Sequence, residues 1–386
     1  MRGAAIQEKP ATKVAVTRCP DYGEERVRRA VRQAVALIGG IADIIKPGDR
    51  VLLKANMLAP IDPAESVTSH PAVVRAAIEL VKEAGGVPIV ADSPGYFYAG
   101  GKCRALTVCG LKDVADELEV ESLQFEAMEN PFVETPVPGG VYLDSIFAAR
   151  LALEVDVIVT LPKLKTHAST WYTGAVKNMF GAVATRTRKQ AHILASYERF
   201  SGSIVDIFSV LKPQLTIMDG VIGMEGEGPR HGSPRELGVI LASRDAVALD
   251  AVASKIIGFE PMEIFTTRDA TTRGLGNGNL DEIEVLGAPI DEVAVNFVKP
   301  SGKRLNLPPL LMKVAAGFIK VQPHCVEDTC DKCRICEKSC PVNAITMRPW
   351  PEIDRDRCIE CYCCNEMCPT GAMEIRKNWL AKRLSR

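Results

Sequence analysis

Two cysteine runs near the end of the chain decide how that part folds: CDKCRICEKSCP at residues 330–341 and CIECYCCNEMCP at residues 358–369. Both have the spacing C-x2-C-x2-C-x3-C followed by proline. A tight loop with this spacing wraps three thiolates round one face of an iron–sulfur cubane, and the fourth cysteine ligates the other cluster. The runs therefore predict two [4Fe-4S] clusters, one bound by Cys330, Cys333, Cys336 and Cys368 and the other by Cys358, Cys361, Cys364 and Cys340.

The segments that follow the two runs, residues 342–347 and 370–375, match as halves of a pseudo-twofold repeat. Residues 325–375 as a whole closely resemble bacterial-type two-cluster ferredoxins. Four thiolates leave a cluster no open ligand position, which indicates one-electron transfer. A structural zinc module is the alternative, because zinc also takes four thiolates, but zinc sites usually use two cysteine pairs.

Two further cysteines lie close to these runs. The x2 spacing favours Cys364 over its neighbour Cys363 as a ligand, so we expect Cys363 to pack behind the ligands. For Cys325, a ligand at the module interface and a plain linker thiol remain alternatives.

The whole chain has 386 residues, more than one core usually covers, so two domains are expected. Ten of the 13 cysteines lie between residues 325 and 368, a pattern typical of metal ligands in a reducing compartment. The formal charge of -1 gives no basic excess for nucleic acid. No apolar run reaches the roughly 18 residues of a spanning helix, and residues 1–16 lack the apolar core of a signal peptide. We therefore expect a cytoplasmic protein without a membrane span.

Up to residue 299, short β-branched runs alternate with amphipathic stretches, which predicts an α/β domain with a mainly parallel sheet and flanking helices. The predicted strands are residues 13–17, 50–54, 87–91, 155–161, 215–219, 238–241 and 283–286. The predicted helices are residues 24–37, 71–84, 170–180 and 245–257, with Ser69 or His70 as the cap of the second.

The chain therefore divides into four parts: an α/β domain that holds the substrate or ligand (1–299), a proline-rich linker (300–323), a small α+β two-cluster ferredoxin-like domain (324–376) and a basic tail (377–386). A short helix over residues 310–320 docks one module on the other or, as an alternative, lies on a membrane surface. The tail is a solvated helix end or a docking surface for an acidic partner.

Polar side chains of the α/β domain stand in loops that follow the predicted strands, where ligands bind in open α/β sheets. The candidate catalytic residues are His167, Lys165 and Lys177, and the candidate substrate-binding residues are Lys54, Asn56, Asp92, Ser93, Lys163, Asn178, Asp219 and Glu225. The lysines, with Arg186, suit a carboxylate or phosphate, although a solvated lysine face is the alternative. The sequence contains no P-loop and no GxGxxG after a strand. It therefore gives no motif for a flavin or nicotinamide site, and it excludes neither cofactor.

Seven blocks carry a resemblance to a known family: LLKAN (52–56), ADSPG (91–95), LPKLKTH (161–167), GAVKNMFG (174–181), DG (219–220), EGEGP (225–229) and ASRD (242–245). Together they resemble the domain of unknown function 362, some members of which similarly end in a two-cluster ferredoxin. The resemblance covers about residues 13–287 and the cysteine module. It implies that these blocks form one site, and it implies no particular reaction.

The resulting hypothesis is an iron–sulfur oxidoreductase that takes electrons from an external donor protein and reduces an anionic or polar small molecule in the α/β cleft. His167 or Lys165 would supply a proton, and the other lysines would hold negative charge. Asp92, Asp219 and Glu225 would orient the lysines or bind a further cation. Two alternatives remain: a non-catalytic electron carrier or maturation partner of another redox enzyme, and a non-redox enzyme with a structural ferredoxin appendage.

Overall fold

A computed structural model describes residues 12–95, 104–194, 196–300 and 321–379. The strands in these residues are β1 (Thr12–Arg18), β2 (Arg50–Lys54), β3 (Val87–Asp92), β4 (Glu121–Gln124), β5 (Phe132–Pro136), β6 (Ser145–Ala149), β7 (Val157–Thr160), β8 (Lys163–His167), β9 (Trp171–Thr173), β10 (Leu215–Glu227), β11 (His231–Ser243), β12 (Ile283–Gly287), β13 (Val321–Cys325), β14 (Ile345–Met347), β15 (Pro351–Ile353) and β16 (Met373–Lys377). The helices are α1 (Glu24–Leu37), α2 (Pro71–Glu83), α3 (Ala105–Val108), α4 (Leu111–Glu117), α5 (Arg150–Glu154), α6 (Ala175–Asn178), α7 (Thr185–Ile193), α8 (Tyr197–Val210), α9 (Ala246–Ile256), α10 (Phe265–Thr272), α11 (Ile290–Val293), α12 (Ile335–Ser339) and α13 (Cys363–Glu366).

A mixed sheet of 10 strands is the centre of the described α/β domain. Its main path has the order β12-β1-β11-β10-β7-β2-β3-β4, and β8 joins β10 and β9 beside that path. The neighbours from β10 through β7, β2 and β3 to β4 are parallel, whereas β11 is antiparallel to both β1 and β10. The prediction of an α/β domain with a mainly parallel sheet and flanking helices is therefore confirmed.

Side chains of the central strands alternate between two apolar cores, one on each face of the sheet. On β2, Val51 and Leu53 pack in one core and Leu52 packs in the other. Strand β7 repeats this alternation with Val157 and Val159 on one face and Ile158 on the opposite face. A sheet covered on both faces requires such continuous apolar strands, which is why these strands were visible in the sequence.

The helix boundaries follow from local capping. Helix α2 starts with Pro71, and the Nδ1 atom of His70 accepts a hydrogen bond from the backbone N–H of Ala72 at 3.2 Å. Helix α9 starts after Asp245, whose Oδ1 atom accepts bonds from two backbone N–H groups at 2.9 and 3.1 Å. Both caps satisfy N–H groups that have no partner inside the helix.

The structure differs from prediction around the block GAVKNMFG. Residues 170–180 do not form one helix: β9 pairs with β8, α6 starts only at Ala175, and a 3-10 turn follows over Met179–Ala182. The physical reason is Asp250 on α9, which accepts hydrogen bonds from the N–H groups of Ala175 at 2.7 Å and Val176 at 3.0 Å and so fixes the helix start there. The block LPKLKTH is also not a loop, because residues 163–167 form the buried strand β8.

The cysteine module is a repeat with an offset of 28 residues, from position 330 to position 358. Strand β13 pairs with β16, and β14 pairs with β15, both antiparallel. The same offset relates the left-handed backbone of Arg334 (φ 63°) to that of Tyr362 (φ 61°), at the start of α12 and α13. The module is thus the small α+β domain that was expected.

Several predictions concern residues outside those the structure describes: the helix over 310–320, most of the linker, and residues 380–386 of the tail. Strand β13 begins at Val321, inside the segment assigned to the linker. In the ranges that are described, no helix is long and apolar enough to cross a membrane.

Candidate functional site

Two parallel neighbours of the sheet end in a buried ion pair. Lys54 closes β2 and Asp92 closes β3, and the Lys54 ammonium lies 2.5 Å from the Oδ1 atom of Asp92. The ammonium also donates to the carbonyl of Ala55 at 2.8 Å, and Asp92 Oδ2 accepts from the N–H of Met57 at 2.7 Å. Burial lowers the pKa of Lys54 and raises that of Asp92, so these additional bonds are what keep the pair compensated.

The block GAVKNMFG closes over this pair. The Asn178 amide nitrogen donates to Thr160 Oγ1 at 2.8 Å, and its carbonyl oxygen accepts from the Lys54 ammonium at 3.3 Å. At Gly181, a Cβ atom would lie 2.5 Å from Asp92 Oδ1 and 2.8 Å from Lys54 Nζ. Only glycine therefore lets the backbone pass this close to the ion pair.

Lys165 on β8 is buried, and none of the described residues bonds a carboxylate to its ammonium. Its ammonium donates to the carbonyl of Val67 at 2.6 Å, and the residue is 1% exposed to solvent. Burial, and then the positive charges of Lys177 and Lys163, lower the pKa of Lys165 from 10.5 to about 7. A lysine with this pKa exchanges its proton near neutral pH, as a general acid requires.

His167 ends β8 with one ring nitrogen satisfied and one not. Nδ1 accepts hydrogen bonds from the backbone N–H groups of Ser169 at 3.0 Å and Thr170 at 3.3 Å. Burial, then the charges of Lys177 and Lys165, lower the pKa of His167 well below 6.5, so the ring is neutral and its proton is on Nε2. Among the described residues, that buried Nε2–H has no hydrogen-bond acceptor. His167 is thus a neutral hydrogen-bond donor at this site.

The cysteine module inserts Glu366 into this group of cations. Its Oε1 atom accepts from the Ser169 hydroxyl at 3.0 Å and lies 3.7 Å from His167 Nε2. Burial raises the pKa of Glu366, and the charges of Lys177 and Lys165 oppose the shift. Sequence reasoning missed this residue, although a signal existed. Glu366 stands between two predicted cluster ligands, and its counterpart in the first repeat, Lys338, is exposed and of opposite charge.

A cavity of about 90 Å³ lies between the two modules. It collects eight of the predicted site residues: Lys54, Asn56, Asp92, Ser93, Lys165, His167, Lys177 and Asn178. The cysteine module contributes Cys363, Glu366 and Met367 to its wall. Two buried oxygens at this wall, Asn56 Oδ1 and Thr173 Oγ1, lack a hydrogen-bond partner in the described parts of the chain, as does His167 Nε2. Buried polar atoms normally have a hydrogen-bond partner, so this wall is suited to bind a polar ligand.

Three predicted site residues lie outside the cavity. The Lys163 ammonium contacts Asp219 Oδ2 at 2.9 Å and the Tyr22 hydroxyl at 2.6 Å, and that hydroxyl donates to Asp219 Oδ1 at 2.9 Å. Asp219 Oδ2 also accepts from the N–H of His70 at 3.0 Å. Glu225 accepts from the N–H of Val298 at 2.9 Å. These side chains join loops and strands to one another.

Further residues reach the cavity although they were not named as site residues. Arg188 donates to the carbonyl of Pro94 at 2.7 Å and to Glu126 Oε1 at 3.2 Å, and it lines the wall with His192. Burial lowers the pKa of His192 to about 3, so this ring is neutral as well. Both residues stand on α7, the helix of Arg186, which was predicted to bind an anion with the lysines but does not line the cavity.

Cysteines are four of the eight buried residues in the core cluster of the small module. Burial, and the nearby thiols of Cys368, Cys333 and Cys330, raise the pKa of Cys336 to about 12. In the second run, burial raises the pKa of Cys364 well above 9, and the thiols of Cys361, Cys336, Cys358 and Cys340 raise it further. Buried thiolates need a cation, and an iron–sulfur cluster supplies it. Among the described residues, no group of three or more His, Cys, Asp or Glu side chains is arranged to hold a single metal ion.

Cys363 contacts its neighbour Cys361 through a hydrogen bond that lowers the pKa of Cys361. It is buried and lines the cavity, so it connects the cysteine run with the polar site. A hydrogen bond to a cluster sulfur is one of the ways a protein tunes a cluster.

The fold and site together define the class: an α/β protein that carries a ferredoxin-type iron–sulfur domain at its C-terminal end. Residues 51–255 match the model of the family described as "Domain of unknown function (DUF362)", and residues 329–372 match "4Fe-4S dicluster domain". The chain belongs to the DUF362 family, in a form fused to an iron–sulfur domain that is capable of electron transfer. The match to an iron–sulfur family also argues against the zinc alternative.

Similar proteins include a thylakoid-associated protein of Synechocystis sp., which is 34% identical over 316 residues, covering 80% of this chain and 91% of that protein. Among solved structures, the lactate racemase apoprotein of Thermoanaerobacterium thermosaccharolyticum is similar with a TM-score of 0.42 and 11% identity. That similarity covers 64% of this chain, and the chain spans 57% of the racemase.

Proposed function

We propose that this protein is an oxidoreductase that passes electrons through two [4Fe-4S] clusters to a small anionic or polar substrate in the cavity between its modules. Cys330, Cys333, Cys336 and Cys368 hold one cluster, and Cys358, Cys361, Cys364 and Cys340 hold the other. The thiols that raise the pKa of Cys336 are those of its three assigned partners, which supports this assignment. The thiols that raise the pKa of Cys364 are those of its three assigned partners together with Cys336.

One observation carries the proposal. The cavity has Lys165, Lys177 and His167 on one side and Cys363 and Glu366 on the other. Cys363 directly precedes the predicted ligand Cys364, so an occupant lies beside a cluster without any rearrangement of the chain. A volume of about 90 Å³ exceeds what one water needs and is below the roughly 300 Å³ at which pockets for larger organic ligands begin. The substrate is therefore small.

The polar groups have separate roles in this proposal. Lys165, with a pKa of about 7, donates a proton to the reduced substrate and regains it from solvent. The Nε2–H of His167 and the ammonium of Lys177 hold negative charge that develops on the substrate. Each cluster supplies one electron, so reduction by two electrons and up to two protons balances.

An external donor protein would return the electrons to the clusters, as expected for a ferredoxin-type domain. All 12 cysteines in the described residues are free of disulfides, which supports a reducing compartment such as the cytoplasm.

The test starts from full-length protein purified without oxygen. Small molecules released on denaturation are identified by mass spectrometry, and nitrite, sulfite, acetate and pyruvate are added to reduced protein freed of dithionite while cluster absorbance is followed. Reoxidation by a small anion, with saturation, is expected. Lys177→Met should slow it at least tenfold, whereas Lys112→Met, a matched change at an exposed lysine of α4, should leave it unchanged.

Equal rates in Lys177→Met and wild type would contradict the proposed site. If neither a bound small molecule nor reoxidation by any anion is found, the alternative of an electron carrier without a substrate of its own gains support.

A further inference from the structure

A second cavity, of about 330 Å³, lies between the same two modules, and the proposed reduction does not use it. The α/β domain contributes Trp171, Tyr197 and Phe200 to its wall. The cysteine module contributes Cys361 and Tyr362. This volume is within the range of pockets that bind organic cofactors and ligands.

Five of the ten residues that line the wall carry flat rings, and the other five include one carboxylate, that of Glu360. Trp171 and Tyr197 stack with ring centroids 4.9 Å apart and an angle of 24° between their planes. His192 and Phe200 stack at 4.5 Å and 26°. The cavity thus offers two pairs of stacked, uncharged rings, a surface that favours another flat ring over a compact ion.

The backbone of Trp171 adds a second, independent observation. Its φ of 65° lies in the left-handed region, which a bulky residue rarely adopts. Tyr362 also has a positive φ, but Arg334 shares it at the equivalent repeat position, so that conformation belongs to the cysteine loop. No such repeat accounts for Trp171. Strained backbone of this kind recurs at ligand-binding sites, where the surrounding structure holds one side chain in place.

Cys361 connects the wall of this cavity with the second of the two proposed clusters. Cys361 lines the wall and is one of the four cysteines assigned to the second cluster. We propose that this cavity binds an uncharged planar ring that exchanges two electrons with the clusters, the chemistry shared by quinones and flavins.

In the reducing direction, a quinone ring takes one electron from each reduced cluster and two protons from water. It leaves as a hydroquinone, and both clusters are oxidised. In the opposite direction the hydroquinone is the donor and releases two protons. The cavity is then a second site of electron exchange beside the polar cavity, with which it shares His192 as a wall residue.

The first measurement is equilibrium dialysis of full-length, cluster-loaded, oxidised protein against menadione, a naphthoquinone without a tail, and against riboflavin. Saturable binding of one molecule per chain is expected for at least one of them, and the one that binds identifies the ring class. No saturable binding of either overturns the proposal.

Matched variants then locate the site. Trp171→Leu is expected to weaken binding about 2- to 10-fold, the effect of losing one aromatic stack. Trp379→Leu, the same change at a residue 70% exposed to solvent, should leave binding unchanged. Equal effects of the two changes refute the assignment. If Trp171→Leu loses its iron, Tyr197→Leu tests the same wall.

Electron exchange is measured on reduced protein freed of dithionite. The rate of cluster reoxidation should saturate as the concentration of menadione or riboflavin increases. A rate that stays proportional to that concentration shows reaction by collision without binding and overturns the proposed electron exchange at this cavity. Lys165→Met, at a residue that lines the polar cavity and not this one, should retain this saturation, so failure of the two proposals can be told apart.

Discussion

Replacing Lys165 by methionine would remove a buried ammonium from the polar cavity. Burial, with the charges of Lys177 and Lys163, lowers its pKa from 10.5 to about 7. One pKa unit corresponds to about 1.36 kcal/mol. The protonated side chain therefore destabilises the folded protein by about 5 kcal/mol relative to an exposed lysine. The deprotonated side chain does not carry this cost.

This difference makes stability depend on pH. Below about pH 7, Lys165 is protonated in both the folded and the unfolded chain, and the cost is present in full. Between about pH 7 and 10.5 the unfolded chain binds this proton and the folded chain does not, so stability rises with pH. From pH 7 to pH 9 the wild type gains about 2 kcal/mol that Lys165→Met does not gain. The stability advantage of the variant therefore shrinks over this range.

The assay is anaerobic thermal unfolding of cluster-loaded, full-length protein at about pH 6, 7, 8 and 9. A difference of about 2 kcal/mol corresponds to about 4 °C in melting temperature for a large domain. Lys112→Met, which removes an exposed lysine 2.7 Å from Asp116, is the control and should run parallel to wild type. If Lys165→Met also runs parallel from pH 6 to pH 9, Lys165 has an ordinary pKa and is not the proton donor near neutral pH.

Three further outcomes follow from the structure. Cys333→Ser should lower the iron content from about eight to about four atoms per chain, because one cluster loses a ligand, whereas Cys363→Ser should keep both clusters, as measured by iron analysis and EPR. Lys163→Met should destabilise the protein by about 3–5 kcal/mol by leaving Asp219 buried without its cation; Lys163→Met combined with Asp219→Asn should recover part of this in a thermal melt. Chelation of iron should unfold residues 321–377, in whose core cluster four of eight buried residues are cysteines, while the α/β domain keeps its amide protection in hydrogen exchange.

Most of the sheet and the cysteine module were predictable, because their signals are local. The apolar runs of β2 and β7 are complete in themselves, and the cysteine spacing is complete within 12 residues. Local signals failed where a residue distant in the sequence determines where a helix begins. Asp250 on α9 starts the short helix α6, and no pattern within residues 170–180 indicates that contact.

The same limit explains why the sequence did not show that Lys163 and Lys165 lie in different environments. Lys163 and Lys165 are two positions apart on β8, and regular alternation would put them in one environment. In the structure the pairing of β8 with β10 is irregular: Lys163 stands opposite Asp219, and Lys165 stands opposite Met224. One lysine therefore joins a saturated network and the other lines the cavity.

The opposite charges of Glu366 and Lys338 make the two faces of the cysteine repeat unequal. A ferredoxin-type module has approximate twofold symmetry, so it presents two similar surfaces to any neighbour, rotated by half a turn. In the observed orientation Glu366 meets Lys165 and Lys177. The rotated orientation would bring the ammonium of Lys338 against the same two lysines, and three like charges in a buried space repel strongly. The charges of this pair of residues therefore favour the observed orientation of the cysteine module at the polar cavity over the rotated one.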